Sequence, residues 1–183
     1  MKKILIIILI LIVVGLVYYF SFQTEEHLDL SVESFKECMD AGYPVMESYP
    51  RQCRASDRNF TEDIGNELEK IDLIRVDNPR PNSIIQRTLE ITGQARGYWF
   101  FEADFPVILT DWDGRIIAET IATAQSDWMV EDFVPFIASL EFEKPYSDGS
   151  PDFMKRGTII FQKDNPSGLS EHDDALEFTI FFE

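Results

Sequence analysis

LEITGQARGYWFFEADFPVILTDWDG, residues Leu89 to Gly114, decides the fold. Apolar residues come here in short runs, with strands expected at Thr88 to Ala95, Tyr98 to Ala103 and Val107 to Trp112. Asp113-Gly114 then sits before the next run, Arg115 to Thr123, and Asp-Gly between two apolar runs is the strongest short-range signal for a β-hairpin. The same rhythm extends outward on both sides. Upstream it gives Leu73 to Asp77, with Asn78, Pro79 and Pro81 interrupting regular structure before the next strand. Downstream it gives Ala138 to Glu143, Thr158 to Lys163 and Leu176 to Phe182. The last of these places Leu176, Phe178, Ile180 and Phe182 on one face. Asn165, Pro166, Ser167 and Gly168 match a type I turn position by position.

No long stretch of helical period is present. Seven or eight short strands over residues 71–183, about the number in known sandwiches, predict an all-β, immunoglobulin-like antiparallel β-sandwich. The inter-sheet disulfide of antibody domains is absent, because Cys38 and Cys53 both precede the module. Trp99, expected in a central strand, is the residue to fill that core position. Neighbours on a strand point to opposite faces, so one sheet face cannot bury Trp99, Phe100 and Phe101 together.

Leu89 to Gly114, with SDWMVEDFVPFIASLEF (Ser126 to Phe142) and KDNPSGLSEHDDALEFTIFF (Lys163 to Phe182), closely resembles the immunoglobulin-like domain of bacterial spore-germination and related envelope proteins, the Gmad type. The resemblance runs in order along residues 71–183. It implies an extracytoplasmic, non-catalytic sandwich, attached to other envelope modules or to a membrane anchor. GYPVMESYPRQC, Gly42 to Cys53, resembles a short two-cysteine module of bacterial surface proteins.

Placement is read from the first residues. Met1, Lys2 and Lys3 precede an uninterrupted apolar run from Ile4 to Phe20, which as a helix at about 1.5 Å per residue reaches roughly 26 Å, near the lower limit for a bilayer core. Tyr18, Tyr19, Phe20, Ser21 and Phe22 lack the small-residue pair of a signal-peptidase site. We therefore expect residues 1–20 to be an uncleaved signal anchor, with the lysines cytoplasmic and the remainder extracytoplasmic. A cleaved signal releasing a secreted protein is the competing reading.

The chain carries 16 Lys+Arg against 33 Asp+Glu, a formal net charge of -17. Such a balance excludes a nucleic-acid binder held by phosphate neutralisation. It also disfavours close contact of the outer part with anionic lipid. Residues 21–70 hold 12 acidic and 5 basic side chains among scattered apolar ones, and are expected to form a loosely structured acidic stalk. Within it, Cys38 and Cys53 are expected to form a disulfide, because two cysteines without a nearby histidine pair cannot complete a zinc site. Closing that loop contributes roughly 3 kcal/mol in the chain-entropy account. The loop displays Tyr49, Pro50 and Arg51, so protease inhibition with Arg51 presented is one alternative function. Asn59, Phe60 and Thr61 satisfy a glycosylation sequon.

Catalytic material is sparse. The two histidines, His27 and His172, are far apart in sequence, and no H-E-x-x-H, phosphate-binding glycine loop or G-x-S-x-G is present. Glu102 and Asp104, with Glu131 and Asp132, are the carboxylates from which a glycan hydrolase would be built, the second alternative. Asp111, Trp112, Asp113 and Gly114 open like a calcium loop but continue as a hairpin turn. No cofactor is expected. Exposed aromatics are the remaining handle, with Trp112 beside the hairpin turn and Trp128 as ligand-binding candidates. The expectation is thus a membrane-anchored, extracytoplasmic, non-enzymatic binding or structural module of the bacterial cell envelope, its partner an envelope protein or polysaccharide.

Overall fold

A computed structural model describes residues 14–16, 18 and 32–183. The expected signal anchor, residues 1–20, lies outside the described residues apart from 14–16 and 18, which are helical. Among the described residues no helix is long and apolar enough to cross a membrane. The chain divides into two compact units, Met1–Glu47 with Gln52–Phe60, and Ser48–Arg51 with Thr61–Glu183.

The first unit corrects the expectation of a loose stalk. Residues 32–60 form a helix and a three-stranded sheet, α1 (Phe35–Asp40), β1 (Val45–Met46), β2 (Gln52–Ala55) and β3 (Arg58–Thr61), with strand order β1-β2-β3. Ser34 starts α1 by accepting from the Glu37 N–H, which satisfies one of the helix's orphan donors, while the Glu37 carboxylate reaches back past the cap to the Glu33 N–H at 2.7 Å. Cys38 of α1 and Cys53 of β2 are joined in a disulfide with Cα atoms 6.1 Å apart. Both cysteines are fully buried with Val32 and Ala55, and Phe35, Tyr43 and Phe60 pack around them. So small a core suffices because the cross-link supplies much of the restraint that burial supplies in larger domains. Mean composition misses this device.

The second unit is all-β. Its strands are β4 (Ile74–Asn78), β5 (Ile84–Ile85), β6 (Thr88–Arg96), β7 (Asp104–Thr110), β8 (Ile116–Ala124), β9 (Phe133–Glu141), β10 (Arg156–Gln162) and β11 (Ala175–Phe182), with a short helix α2 (Glu67–Lys70) before them. They form one curled sheet of order β4-β6-β9-β8-β7-β10-β11-β5, antiparallel except where β5 runs parallel to β11. β6 pairs with β9 along its whole length, and β7 with β8 from Asp104↔Thr123 to Thr110↔Ile116. By contrast, β8 meets β9 only at Thr123↔Ile137 and Ala124↔Phe136. That narrow join folds the sheet into the two layers of a sandwich, β4-β6-β9 against β8-β7-β10-β11-β5.

Alternation then builds the core. Leu89, Ile91 and Ala95 of β6 point inward with Val134, Phe136, Ala138 and Leu140 of β9, and from the other layer come Phe105, Val107, Leu109, Ile159, Phe161 and the four residues Leu176, Phe178, Ile180 and Phe182. A run of ring contacts crosses it, Phe100 to Phe105 at 5.2 Å, Phe105 to Phe136 at 4.9 Å, Phe136 to Phe161 at 6.4 Å and Phe161 to Phe178 at 5.8 Å. Such aromatic pairs contribute about 0.5–1.5 kcal/mol each beyond their area.

One expected strand is not there. Gly97–Trp99 is a 3-10 turn, and Phe101 to Asp104 closes a tight turn whose backbone groups bond each other at 3.0 and 3.1 Å. Off a regular strand, Trp99 and Phe100 both reach the core while Phe101 points out, which resolves the conflict among three successive aromatics. The Asp113-Gly114 hairpin is present. Asp111 Oδ1 accepts from the N–H groups of Asp113 and Arg115, each at 3.0 Å, and Gly114 takes φ +80°. Asp111 thus directs an oxygen into its own loop. The turn at Asn165 also forms, with the Gly168 N–H on the Asn165 carbonyl at 3.2 Å.

Candidate binding surface

At one end of the sandwich three loops are stitched together: the Gly97–Asp104 connection, the 125–132 loop from β8 to β9, and the 163–174 loop from β10 to β11. The Gly97 N–H donates to the Asp132 carbonyl at 3.2 Å, and the Asp164 N–H to the Trp99 carbonyl at 3.1 Å. A Cβ on residue 97 would stand 1.9 Å from the Val130 carbonyl oxygen and 2.2 Å from that of Trp128, so only glycine permits this approach. Arg96 braces the same loop from beneath. Its Nη1 donates to the Glu131 carbonyl at 3.3 Å and its Nε to the Asp72 carbonyl at 3.0 Å. Arg96 and Arg75 both lie over the Phe133 ring, at 4.1 and 4.2 Å from its centroid. The 125–132 loop also carries an internal turn, the Met129 N–H donating to Asp127 Oδ1 at 3.0 Å.

This rigid base exposes apolar side chains. Met129 is 77% exposed and Phe101 41%, and Tyr98, Val130 and Leu169 are also exposed. Glu102 and Ala103, behind Phe101, both have positive φ, 51° and 70°. The left-handed region costs a non-glycine residue roughly 1–2 kcal/mol, and such strain persists where surrounding structure over-determines it, often at functional sites. Here the Ala124 N–H holds the turn by donating to the Ala103 carbonyl at 2.8 Å. Large apolar groups on a braced, strained tip are what a docking surface presents.

Several residues expected from sequence meet at this end. Trp128 is half-buried in the 125–132 loop and packs against the core. Glu102, Asp104, Glu131 and Asp132 also lie here. Glu131 and Asp132 use their backbone carbonyls as the loop's fastenings, and Asp104 stands in β7 with a buried Oδ1 that has no hydrogen-bond partner. Tyr98, Met129 and Val130 are site residues that the sequence reading does not single out; for Tyr98 the signal is the aromatic run with no strand face to hide all of it, whereas Met129 and Val130 carry none. Trp112 lies elsewhere, exposed in the Asp111 to Arg115 hairpin loop with its ring edge-to-face on Phe153 at 5.0 Å.

Arg51, at the surface, is also held by a carboxylate. Its Nε donates to Glu62 Oε2 at 2.8 Å and its Nη2 to Glu62 Oε1 at 2.5 Å, with the Glu62 side chain buried. Arg51 keeps the Glu62 carboxyl below the usual range, its hydrogen bond outweighing the cost of burial. Nearby, Glu67 pairs with Arg80 at 2.7 Å, but burial dominates and pushes the Glu67 carboxyl up. Arg80 also donates to the Tyr49 hydroxyl at 2.6 Å. Among the described residues no cluster of three or more His, Cys, Asp or Glu side chains is arranged to hold a metal ion.

No curated protein and no solved structure matches the chain. A family model does, over a narrower range than the 71–183 resemblance expected from sequence, stopping before β10 and β11. Residues 73–154, from the edge of β4 through β9, match Gmad2, the immunoglobulin-like domain of bacterial spore germination.

Proposed function

We propose that this protein is a membrane-anchored, extracytoplasmic binding module of the bacterial cell envelope that grips a protein or polysaccharide partner with the braced loop end of its sandwich. Supporting the class is the immunoglobulin-like domain match over residues 73–154 on an all-β sandwich. The observation that carries the site is the exposure of Phe101 and Met129 on loops fastened to each other by backbone hydrogen bonds. A pre-organised apolar tip binds without the added cost of ordering a loop. The anchor reading rests on Lys2, Lys3 and the apolar run after them.

The test is capture of partners from solubilised envelope by the full chain and by a Phe101→Ser/Met129→Ser double variant. The expected result is a partner retained at least about tenfold better by the parent, with the melting temperature unchanged. Digesting the captured material with protease or with glycan hydrolases then separates a protein from a polysaccharide. Equal capture by both forms would remove the loop end from the function.

A further inference from the structure

The two edges of the five-stranded layer are treated unequally. Along β11 the chain covers its own edge. The Asn66 N–H and Nδ2 donate to the carbonyls of Glu177 and Ala175 at 3.2 and 2.9 Å, while Asn66 Oδ1 accepts from the Glu177 N–H at 2.8 Å. Further along, the Asn82 N–H donates to the Thr179 carbonyl at 2.8 Å, the Ser83 carbonyl accepts from the Phe181 N–H at 2.9 Å, and β5 completes the cover. At the opposite edge, β8 joins the β9 ladder only at Thr123 and Ala124, and N-terminal to these Thr120 Oγ1 makes one more bridge, to the Ser139 carbonyl at 2.9 Å. Beyond Thr120 the two strands part. Ile116 to Glu119 keep β7 on one side and have no strand on the other, and the mouth opens onto a groove of about 420 Å³ lined by Arg87, Thr88, Ile117, Glu141, Phe142 and Glu143.

Sheet proteins blunt a free edge with Lys, Pro or a covering segment. Residues 116–124, IIAETIATA, contain no Lys, Arg or Pro, and Ile116 and Ile121 are exposed. We propose that the mouth between β8 and β9 is a second docking site, independent of the loop end, which takes an extended basic segment of a partner protein as a short added strand on Ile116 to Glu119. Backbone groups on an open edge are recognised by another extended backbone. Charge selects which one. Glu141 and Glu143 line the groove with Arg87, itself 3.8 Å from Glu143, and Glu119 stands on the open stretch of β8. A second copy of this chain would bring Glu119 against like charge and a net -17 against another, whereas Lys or Arg on alternate positions of a partner strand would meet these carboxylates.

The experiment is amide hydrogen exchange on the full chain, in detergent, titrated with a short end-blocked peptide alternating Lys and Val. The expected result is slowing of the Ile117 and Glu119 amides by at least about tenfold. The slowing should disappear when alternate peptide nitrogens are methylated, and Glu in place of Lys should weaken binding about tenfold. Glu119→Lys should abolish the Lys-over-Glu preference at unchanged melting temperature. The Phe101→Ser/Met129→Ser variant should bind the peptide normally, so failure here and failure of the loop-end site are distinguishable. No slowing at β8, slowing confined to other strands, or slowing that grows with protein concentration without peptide would each overturn the proposal, the last by naming a second copy as the occupant.

Discussion

Arg51 and Glu62, 11 residues apart, face each other as a two-pronged ion pair in which the arginine is half-exposed and the carboxylate buried. The geometry ties Ser48–Arg51 to the start of the all-β unit; the Arg51 backbone N–H also donates to Glu62 at 3.4 Å, and Asn82 Nδ2 adds a fourth donor at 3.3 Å. Because Arg51 lowers the Glu62 carboxyl in the folded state, this stabilisation is complete above the unfolded carboxyl's ordinary value and is lost as pH falls through the lowered folded one. Glu62→Gln should therefore cost about 1–3 kcal/mol at neutral pH and flatten the acid limb of the stability curve. Urea melts of both forms as a function of pH check this.

Glu67 has the opposite sign. Burial raises its carboxyl despite Arg80 beside it, so its contribution is fully present below the unfolded value and is lost as pH rises through the raised folded one. Oε2 of Glu67 is buried without a partner. Glu67→Gln should consequently leave neutral-pH stability unchanged or higher, and remove the decline above the ordinary glutamate range. Arg80→Met should be costly, by about 3 kcal/mol, since it strands a buried carboxylate.

Gly97 and Gly114 make a matched pair of substitutions. Gly97→Ala would drive a methyl into backbone carbonyls, whereas a Cβ at Gly114 has nothing within 4 Å and meets only the penalty of φ +80°. Thermal melts should show Gly114→Ala losing about 1–2 kcal/mol and Gly97→Ala losing more, with the loop end disrupted.

Ala103→Gly should stabilise the protein by up to about 1 kcal/mol, since glycine accepts φ 70° freely. If the strain serves to hold Phe101 in its binding pose, the same change should weaken partner capture while raising the melting temperature.

Reduction of Cys38–Cys53 should abolish hydrogen-exchange protection across residues 32–60, a loss of about 3 kcal/mol, because only Val32 and Ala55 are buried there besides the cysteines. Amides of β6, β7 and β9 should be unaffected.

Sequence period read most of the sheet because β6, β10 and β11 alternate strictly between core and surface, and β7 does so up to Leu109. β9 starts at Phe133, five residues before the expected Ala138, and includes Pro135, a residue that ordinarily argues against a paired strand. Its missing donor is tolerated at the end of the β8 ladder, where the Pro135 carbonyl still accepts from the Gln125 N–H at 2.8 Å. β5 is two residues long and has no period to read. The start of the all-β unit was placed at residue 71, within a unit that also holds Ser48–Arg51 and Thr61 onward, since ion pairs and the Asn66 bonds to β11 leave no hydrophobic pattern. At the loop end the acidic residues and Trp128 were legible, whereas the role of Gly97 depends on carbonyls of residues more than thirty positions away.

The position of β11 sets when the domain can fold. It is the last of the eight strands to be synthesised, yet it lies between β10 and β5 and carries Leu176, Phe178, Ile180 and Phe182 into the core. A nascent chain that has reached Gln162 has β10 with one side unpaired and Phe161 uncovered. Closure therefore waits until almost the whole domain has emerged, and throughout that interval the growing chain presents open strands that other chains can pair with.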